Sequence, residues 1–176
     1  VVGQKGSSRV TSTSDSGGNR IGTACCGIDG RAVLNKEGYA RATLKYDGWG
    51  SGSEGTTFDI DGRPILSEAR YTRLTCKSDA RWNEIEVASF GINGELVLDH
   101  KGSARDTSKY DTRGNVIETA YFGIDGKPLL IQDGYARDTS KYDTRGNVIE
   151  TAYFGIDGKP VLNKEGYARY TLNYYT

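Results

Sequence analysis

The residues able to perform catalytic chemistry are few and isolated in this sequence of 176 residues. His100 is the only histidine, and it occupies a position where other copies of the surrounding pattern have lysine or glutamine. A serine or cysteine nucleophile needs a base within hydrogen-bond reach, and no spacing motif pairs His100 with either residue type. We therefore expect His100 to be solvated, and we predict that the protein is not an enzyme.

The three cysteines show no metal-binding or redox pattern. Cys25 and Cys26 are adjacent, so they cannot easily both bind one tetrahedral metal ion, and no Cys-x-x-Cys pair occurs. An odd number of cysteines also argues against a disulfide framework. The segment 59–62, Asp-Ile-Asp-Gly, lacks the twelve-residue ligand series of a calcium loop. We expect no metal and no cofactor, and we expect Cys76, like the other two, to fill an ordinary position of the sequence pattern.

Tyrosine and arginine are the residue types whose spacing suggests a binding surface. There are 12 tyrosines, several of which return at one regular interval along the chain, and an arginine returns at the same interval. A row of aromatic rings can hold the apolar face of a sugar or a protein strand; alternatively, the rings cover the sheet and stack on one another. The candidate binding surface consists of Tyr39, Tyr71, Tyr121, Tyr135, Tyr153, Tyr167, Arg41, Arg73, Arg105, Arg137 and Arg169.

A tandem repeat of constant length positions these side chains. Residues 104–128 recur without change at 136–160, which sets the repeat period. The units are 14–45, 46–77, 78–109, 110–141 and 142–173, with a half unit at 1–13 before them. No insertion or deletion interrupts the series, and constant length favours units that each stack on a neighbour in one geometry. We therefore predict a single repeat domain over residues 1–176.

Each unit predicts two long strands and no helix. The stretches YARYTLNY and VIETAYFGI alternate aromatic or β-branched residues with others, which is typical of strands. Between them, DTRGN and IDGK are turn sequences, and PVL is a candidate for a short third strand. The predicted fold is all-β, a single repeat array of antiparallel strand-turn-strand units with eleven strands in an elongated or coiled sheet.

The DTRGN turn also predicts how the two strands pair. If Asp111 faces Asn115, Arg105 faces the Tyr121 ring, whereas a slip of one residue would put Arg105 opposite Phe122. In the first register, the core face of this hairpin carries Ala104, Ala120, Phe122 and Ile124. The recurring core positions are then Phe58, Phe90, Phe122, Phe154, Ile60, Ile92, Ile124, Ile156 and the leucines Leu34, Leu66, Leu98, Leu130 and Leu162.

The run Tyr-Asp-Thr-Arg-Gly-Asn-Val at 110–116 and again at 142–148, followed by a strand and an Asp-Gly turn, resembles the tyrosine–aspartate repeats of bacterial RHS-type proteins. The glycine-rich hairpin pattern is also similar to MORN-type repeats. The RHS-type resemblance implies strand-turn-strand units wound into a long sheet or shell. It further implies a structural part of a secreted or cell-surface protein, without catalytic residues of its own.

Charge and hydropathy restrict the partners of the chain. The 23 lysines and arginines balance 23 aspartates and glutamates, so the basic excess of a nucleic-acid-binding protein is absent. No apolar run approaches the length of a membrane-spanning helix, and we expect no membrane insertion.

We therefore predict a structural or scaffolding repeat segment. Its expected partner is protein, either itself or further repeats of the same chain, bound at the edge strands 8–13 and 167–174. The alternative is a module that recognises a glycan or a protein through its rows of tyrosines.

Overall fold

A computed structural model describes residues 9–47 and 51–174, which form eleven β-strands. The strands are β1 Arg9–Ser14, β2 Arg20–Cys26, β3 Arg41–Tyr46, β4 Gly52–Phe58, β5 Arg73–Ser78, β6 Glu84–Phe90, β7 Arg105–Tyr110, β8 Val116–Phe122, β9 Arg137–Tyr142, β10 Val148–Phe154 and β11 Arg169–Thr171. Their order in the sheet is their order in the chain, and paired neighbours are antiparallel. The predicted all-β array of strand-turn-strand units is confirmed. Within the described ranges, no helix is long and apolar enough to cross a membrane.

The chain divides into two compact units. The first contains the described residues up to Cys76 together with Ser89–Glu95, and the second contains Lys77–Ala88 together with the described residues from Leu96 onward. The unchanged repeat of 104–128 at 136–160 lies within the second unit. A single repeat domain over the whole sequence stays a prediction.

The predicted DTRGN turn is built around one aspartate. The Asp111 amide donates to the Asn115 carbonyl at 2.9 Å, which closes the turn. The Oδ1 atom of Asp111 accepts from the backbone amides of Arg113 and Asn115, and its Oδ2 atom accepts from the Asn115 side chain. Gly114 adopts a φ of 86°, a left-handed conformation that glycine enters without steric cost. The same aspartate and asparagine close the turns at Asp15, Asp79 and Asp143.

One residue shifts the pairing of the two strands. Tyr110 pairs with Val116, as a turn closed by Asp111 and Asn115 requires, but the next pair is Lys109 with Glu118. Ile117 is therefore the extra residue of a β-bulge, which bends the strand and moves all later pairs by one position. Equivalent shifts occur in the hairpins β1–β2, β3–β4 and β9–β10.

The bulge makes the predicted register wrong beyond the turn. Arg105 lies opposite Phe122, which was the slipped alternative, and Tyr121 lies opposite Asp106. Because neighbours along a strand point to opposite faces, Phe122 and Tyr121 exchange their predicted surroundings. Tyr121 is buried at 8% exposure, while Phe122 is half-buried beside the arginine.

The predicted core of phenylalanine, isoleucine and leucine is also wrong. The four phenylalanines are half-buried, and the four isoleucines lie in Asp-Gly or Asn-Gly turns with 55–62% of their surface exposed. The recurring leucines are 40–64% exposed. The PVL segment makes only an isolated bridge, as between Phe122 and Pro128, and not a third strand.

Small side chains at one repeat position form the most buried part of the interior. Ala40, Ala104 and Ala136 are only 1–2% exposed. The Ala136 carbonyl accepts from the Tyr121 amide at 2.9 Å, and its amide donates to the Phe154 carbonyl at 2.8 Å. This residue thus joins the ends of β8 and β10 through its backbone, and little space is left for a side chain.

Candidate functional site

The residues considered for catalysis or metal binding do not form a reactive centre. His100 is an exposed side chain whose nearest acidic partner is Asp99, 3.9 Å away. Cys25 is a buried thiol, and burial, with a smaller effect of Cys26 and Glu37, raises its pKa and so disfavours the reactive thiolate. In the part of the chain that the structure describes, no three histidine, cysteine, aspartate or glutamate side chains come together to hold a metal ion.

Five tyrosines of the second unit form what we call the tyrosine cluster: Tyr121, Tyr135, Tyr153, Tyr167 and Tyr170. The Tyr135 ring lies 5.8 Å from the Tyr121 ring and 4.6 Å from the Tyr153 ring, measured between centroids. The Tyr170 ring continues the series at 6.5 Å from Tyr153 and 6.1 Å from Tyr167. These edge-on and tilted arrangements are the favourable geometries of aromatic pairs. The structure thus brings together four of the six candidate tyrosines.

An aspartate lies at the inner end of the tyrosine cluster. The Tyr121 hydroxyl donates to Asp138 Oδ1 over 3.4 Å, a long hydrogen bond. Burial raises the pKa of Asp138 to about 6, with a contribution from Glu118 against the opposing effects of Tyr121 and Arg137. Burial also raises the pKa of Tyr135 to about 12 and that of Tyr121 still further. Close to neutral pH, the cluster therefore combines neutral phenols with a carboxyl group that titrates.

The other two candidate tyrosines lie in the first unit. Tyr39 and Tyr71 line a groove of about 330 Å³, together with Leu44, Thr57 and Leu74. Burial, followed by a hydrogen bond with Glu37, raises the pKa of Tyr39, so its hydroxyl stays protonated at neutral pH. These two tyrosines border a groove, whereas those of the second unit pack on one another.

Four of the five candidate arginines lie on the opposite face of the sheet in a ladder of ion pairs: Arg73, Arg105, Arg137 and Arg169. Glu86 binds two cations at once: Lys77 Nζ lies 2.7 Å from Oε1, and Arg105 Nη1 lies 3.1 Å from Oε2. The guanidinium of Arg105 also covers the Phe122 ring, with 4.3 Å between Cζ and the ring centroid. The Lys77 hydrogen bond, aided by Arg105, lowers the pKa of Glu86 despite its partial burial.

The same ladder is present at other repeats. Glu54 binds Lys45 and Arg73, Glu118 binds Lys109 and Arg137, and Glu150 binds Lys141 and Arg169. The cation–π pairs are Arg41 with Phe58, Arg73 with Phe90, and Arg137 with Phe154. Arg105, which was predicted to face the Tyr121 ring, therefore makes its cation–π contact with a phenylalanine, again because of the bulge.

The candidate surface is thus two separate surfaces. Tyr121 and Phe122 are consecutive in β8, so the tyrosines and the arginines belong to opposite faces. The sequence analysis missed Tyr170 and Asp138, which occupy the same repeat position. Other repeats have alanine, leucine or aspartate at this position, so it shows no single recurring residue type. It also missed the ladder glutamates, although their return in four of the five repeat units, from Glu54 to Glu150, was a readable signal.

Comparison with known proteins adds no relative to this description. No protein-family model matches the chain, and none of the curated proteins matches it.

Proposed function

We propose that the chain is a non-catalytic structural segment in which successive hairpins are bound to one another by recurring contacts. The observation that supports this proposal is the recurrence of these contacts from one repeat unit to the next. A scaffold that can be lengthened needs such contacts, because every unit then stabilises its neighbour in the same way.

Three kinds of contact connect successive hairpins. At the turn end, the Tyr110 hydroxyl donates to the Glu84 carbonyl at 2.8 Å, and Tyr142 does the same to Val116. At mid-strand, the ladder joins each glutamate to the arginine of the next hairpin. At the loop end, backbone amides donate to carbonyls of the previous loop, as from Gln132 to Lys101, Lys164 to Asp133 and Glu68 to Glu37. These contacts use exposed or half-buried groups, so they continue the stack without a large apolar core.

We further propose that the chain self-assembles through β1 and β11, the first and last strands of the order. A strand paired on one side only presents unpaired amide and carbonyl groups to another chain. Exposed apolar side chains lie in or beside both strands, at Val10 with 60%, Leu172 with 42% and Tyr174 with 51% exposure. The resemblance to RHS-type repeats supports a bacterial secreted or cell-surface setting for such an assembly.

Light scattering across a concentration range tests the assembly. We expect the average mass to increase with concentration, and we expect V10K with L172K to suppress that increase, because lysine on an edge strand disfavours pairing. I28K is the matched control, since Ile28 is 87% exposed but lies in a turn. A chain that stays monomeric at high concentration, or equal effects of both changes, would contradict assembly through the edges.

A second candidate function is recognition of a glycan or a protein through the tyrosine cluster. It is favoured by the contiguous rings of the cluster, which end in Tyr167, a side chain with 39% exposure. Binding of the chain to a glycan array or to cell-wall material, compared with binding of Y153A and Y167A, tests this function. If the wild-type chain binds nothing, or if both variants bind as well as it does, the tyrosines have only a packing role.

A further inference from the structure

The groove between Tyr39 and Tyr71 is the feature of the first unit that its packing leaves unexplained. Its volume of about 330 Å³ lies within the range of small-molecule sites. The lining surface is mainly apolar, with Ala42, Leu44 and Leu74 beside the two tyrosines, and its polar residues are Glu37, Thr43, Thr56, Thr57 and Ser67. A small-molecule site of this kind combines an apolar lining with a few polar groups that orient the ligand.

The repeat shows what fills the same place elsewhere in the chain. Three repeats later, Tyr135 and Tyr167 take the positions of Tyr39 and Tyr71, and Tyr153 takes the position of Thr57. The Tyr153 ring lies 4.6 Å from the Tyr135 ring and 6.5 Å from the Tyr170 ring, so a phenol fills the space beside the tyrosine that corresponds to Tyr39.

In the first unit, the residues at these positions are smaller. Thr57 replaces the tyrosine, and Gly55 replaces Thr151, so the space that a phenol fills in the second unit is a groove. The Thr57 hydroxyl is turned to the backbone, where it donates to the Ile65 carbonyl at 2.8 Å or to the Thr72 carbonyl at 3.2 Å. The surface that it presents to the groove is therefore largely its methyl group.

We propose that this groove binds a small phenolic ligand, whose ring takes the place that the Tyr153 ring has in the second unit. The ligand ring packs against Tyr39 and Tyr71 in the tilted or edge-on geometry seen within the tyrosine cluster. Its apolar edge contacts Leu44 and Leu74.

A serine in the groove provides a partner for the phenolic hydroxyl. Ser67 Oγ donates to the Tyr71 carbonyl at 3.0 Å, and a serine oxygen can accept a further hydrogen bond. In the second unit, Asn163 holds the position of Ser67, so a side chain with hydrogen-bonding groups stands there as well. A sugar fits this lining less well, because each of its hydroxyl groups would need a polar partner when buried.

The test is a titration of the isotope-labelled chain with p-cresol, a single phenol ring with one methyl group, followed by NMR. We expect saturable shifts of the amides around Tyr39, Thr57 and Tyr71. T57Y places a protein phenol in the groove, as Tyr153 does, and we expect it to weaken p-cresol binding at least tenfold. G55T is a second variant with the same expected direction. A Cβ at Gly55 meets its nearest atom, Leu44 Cδ2, at an ordinary distance of 3.6 Å, so this variant should keep the fold.

Controls test whether the ligand must be a phenol and whether its site lies in the first unit. Y167A changes the tyrosine that corresponds to Tyr71 in the second unit, and it should leave p-cresol binding unchanged. Methyl glucoside serves as the sugar competitor, and toluene serves as the competitor with the same ring but no hydroxyl group. Shifts that do not saturate, binding unaffected by both T57Y and G55T, or tighter binding of either competitor would overturn the proposal.

Discussion

Position 72 shows how narrowly the repeat restricts a single side chain. Thr72 is 3% exposed, and its Oγ1 atom is buried without a hydrogen-bond partner. The equivalent residues Ala40, Ala104 and Ala136 have no polar side-chain atom to satisfy. A buried hydroxyl without a partner has lost its hydrogen bonds to water, which costs about 1–3 kcal/mol. Threonine at this position is therefore a local source of instability in the first unit.

We expect T72A to stabilise the protein by about 1 kcal/mol, because removing the hydroxyl outweighs the loss of one methyl group. Urea unfolding of the wild type and the variant measures the difference. The reverse change at an equivalent position, A104T, should destabilise the fold. A T72A protein less stable than the wild type would show that the hydroxyl makes a favourable interaction.

Asp138 predicts a pH dependence of a definite sign. Its pKa rises from 3.8 to about 6 in the folded protein, so between these values the folded state binds more protons than the unfolded state. Stability from this group is therefore lost as the pH rises through that window, by about 3 kcal/mol in total. The ladder glutamates act in the opposite direction, since their pKa values are lowered from 4.5: their stabilising effect is fully present above that pH and is lost as the pH falls below it.

The substitution D138N separates these two effects. We expect it to change stability little at about pH 4 and to stabilise the protein most at about pH 8, because the buried negative charge is then removed. D106N is the matched control one repeat earlier. Asp106 accepts from Ser103 Oγ at 2.5 Å and pairs with Lys101 at 3.3 Å, so its loss should destabilise at neutral pH. A gain from D138N that is the same at both pH values would contradict this explanation.

The β-hairpin is the element that combines these residues, and the bulge determines its two faces. The bulge at Ile117 places Phe122 under Arg105 and turns Tyr121 to the interior. The half-buried Phe122 then contributes to stability through the contact of its ring face with Arg105 as well as through its buried apolar area. Arg105 in turn connects this ring to Glu86 of the preceding hairpin.

A double-mutant cycle on Arg105 and Phe122 measures this contribution. We expect F122A to cost about 2 kcal/mol, below the value for a fully buried phenylalanine. Combined with R105Q, the coupling energy should be about 0.5–1 kcal/mol. The equivalent cycle on Arg137 and Phe154, which are 4.1 Å apart, should give a similar value. Additive effects at both places would show that the arginine only lies near the ring.

Sequence analysis predicted the elements well and the faces poorly, for an identifiable reason. The aspartate and glycine of each turn act locally, so the DTRGN and Asp-Gly turns and the strands between them could be read from the sequence. A bulge inserts one residue without changing the length of the unit, and Ile117 has an ordinary β-branched side chain that does not mark it. Since the side-chain period of a strand is two, this one residue exchanged the positions of Phe122 and Tyr121.

The tyrosine positions were predictable as a periodic set, but their division between a packed cluster and a groove was not. That division depends on which residue stands between the flanking rings, Thr57 in the first unit and Tyr153 in the second. Asp138 was not predicted because its importance comes from burial, and burial is a property of the packed units. The repeat itself gave no signal at this position, where Ala42 and Leu74 stand in the first unit.

At the scale of the whole molecule, the central claim is that hairpins stabilise one another through contacts that recur in most of the repeat units. The sequence offers a direct way to change their number. Deleting residues 110–141 joins Lys109 to Tyr142. Because 104–128 and 136–160 are identical, the sequence across this junction is the same as in the wild type. The same identity allows a further copy of 110–141 to be inserted without a foreign junction.

The most direct measurement is the unfolding free energy of three chains: one with this unit deleted, the wild type, and one with the unit duplicated. Each added unit should raise the unfolding free energy by about 2–5 kcal/mol, the share of one repeat unit at ordinary protein stability. The circular dichroism signal per residue should stay the same in all three chains. A shorter chain as stable as the wild type, or a longer chain no more stable than the wild type, would contradict the claim that successive hairpins stabilise one another.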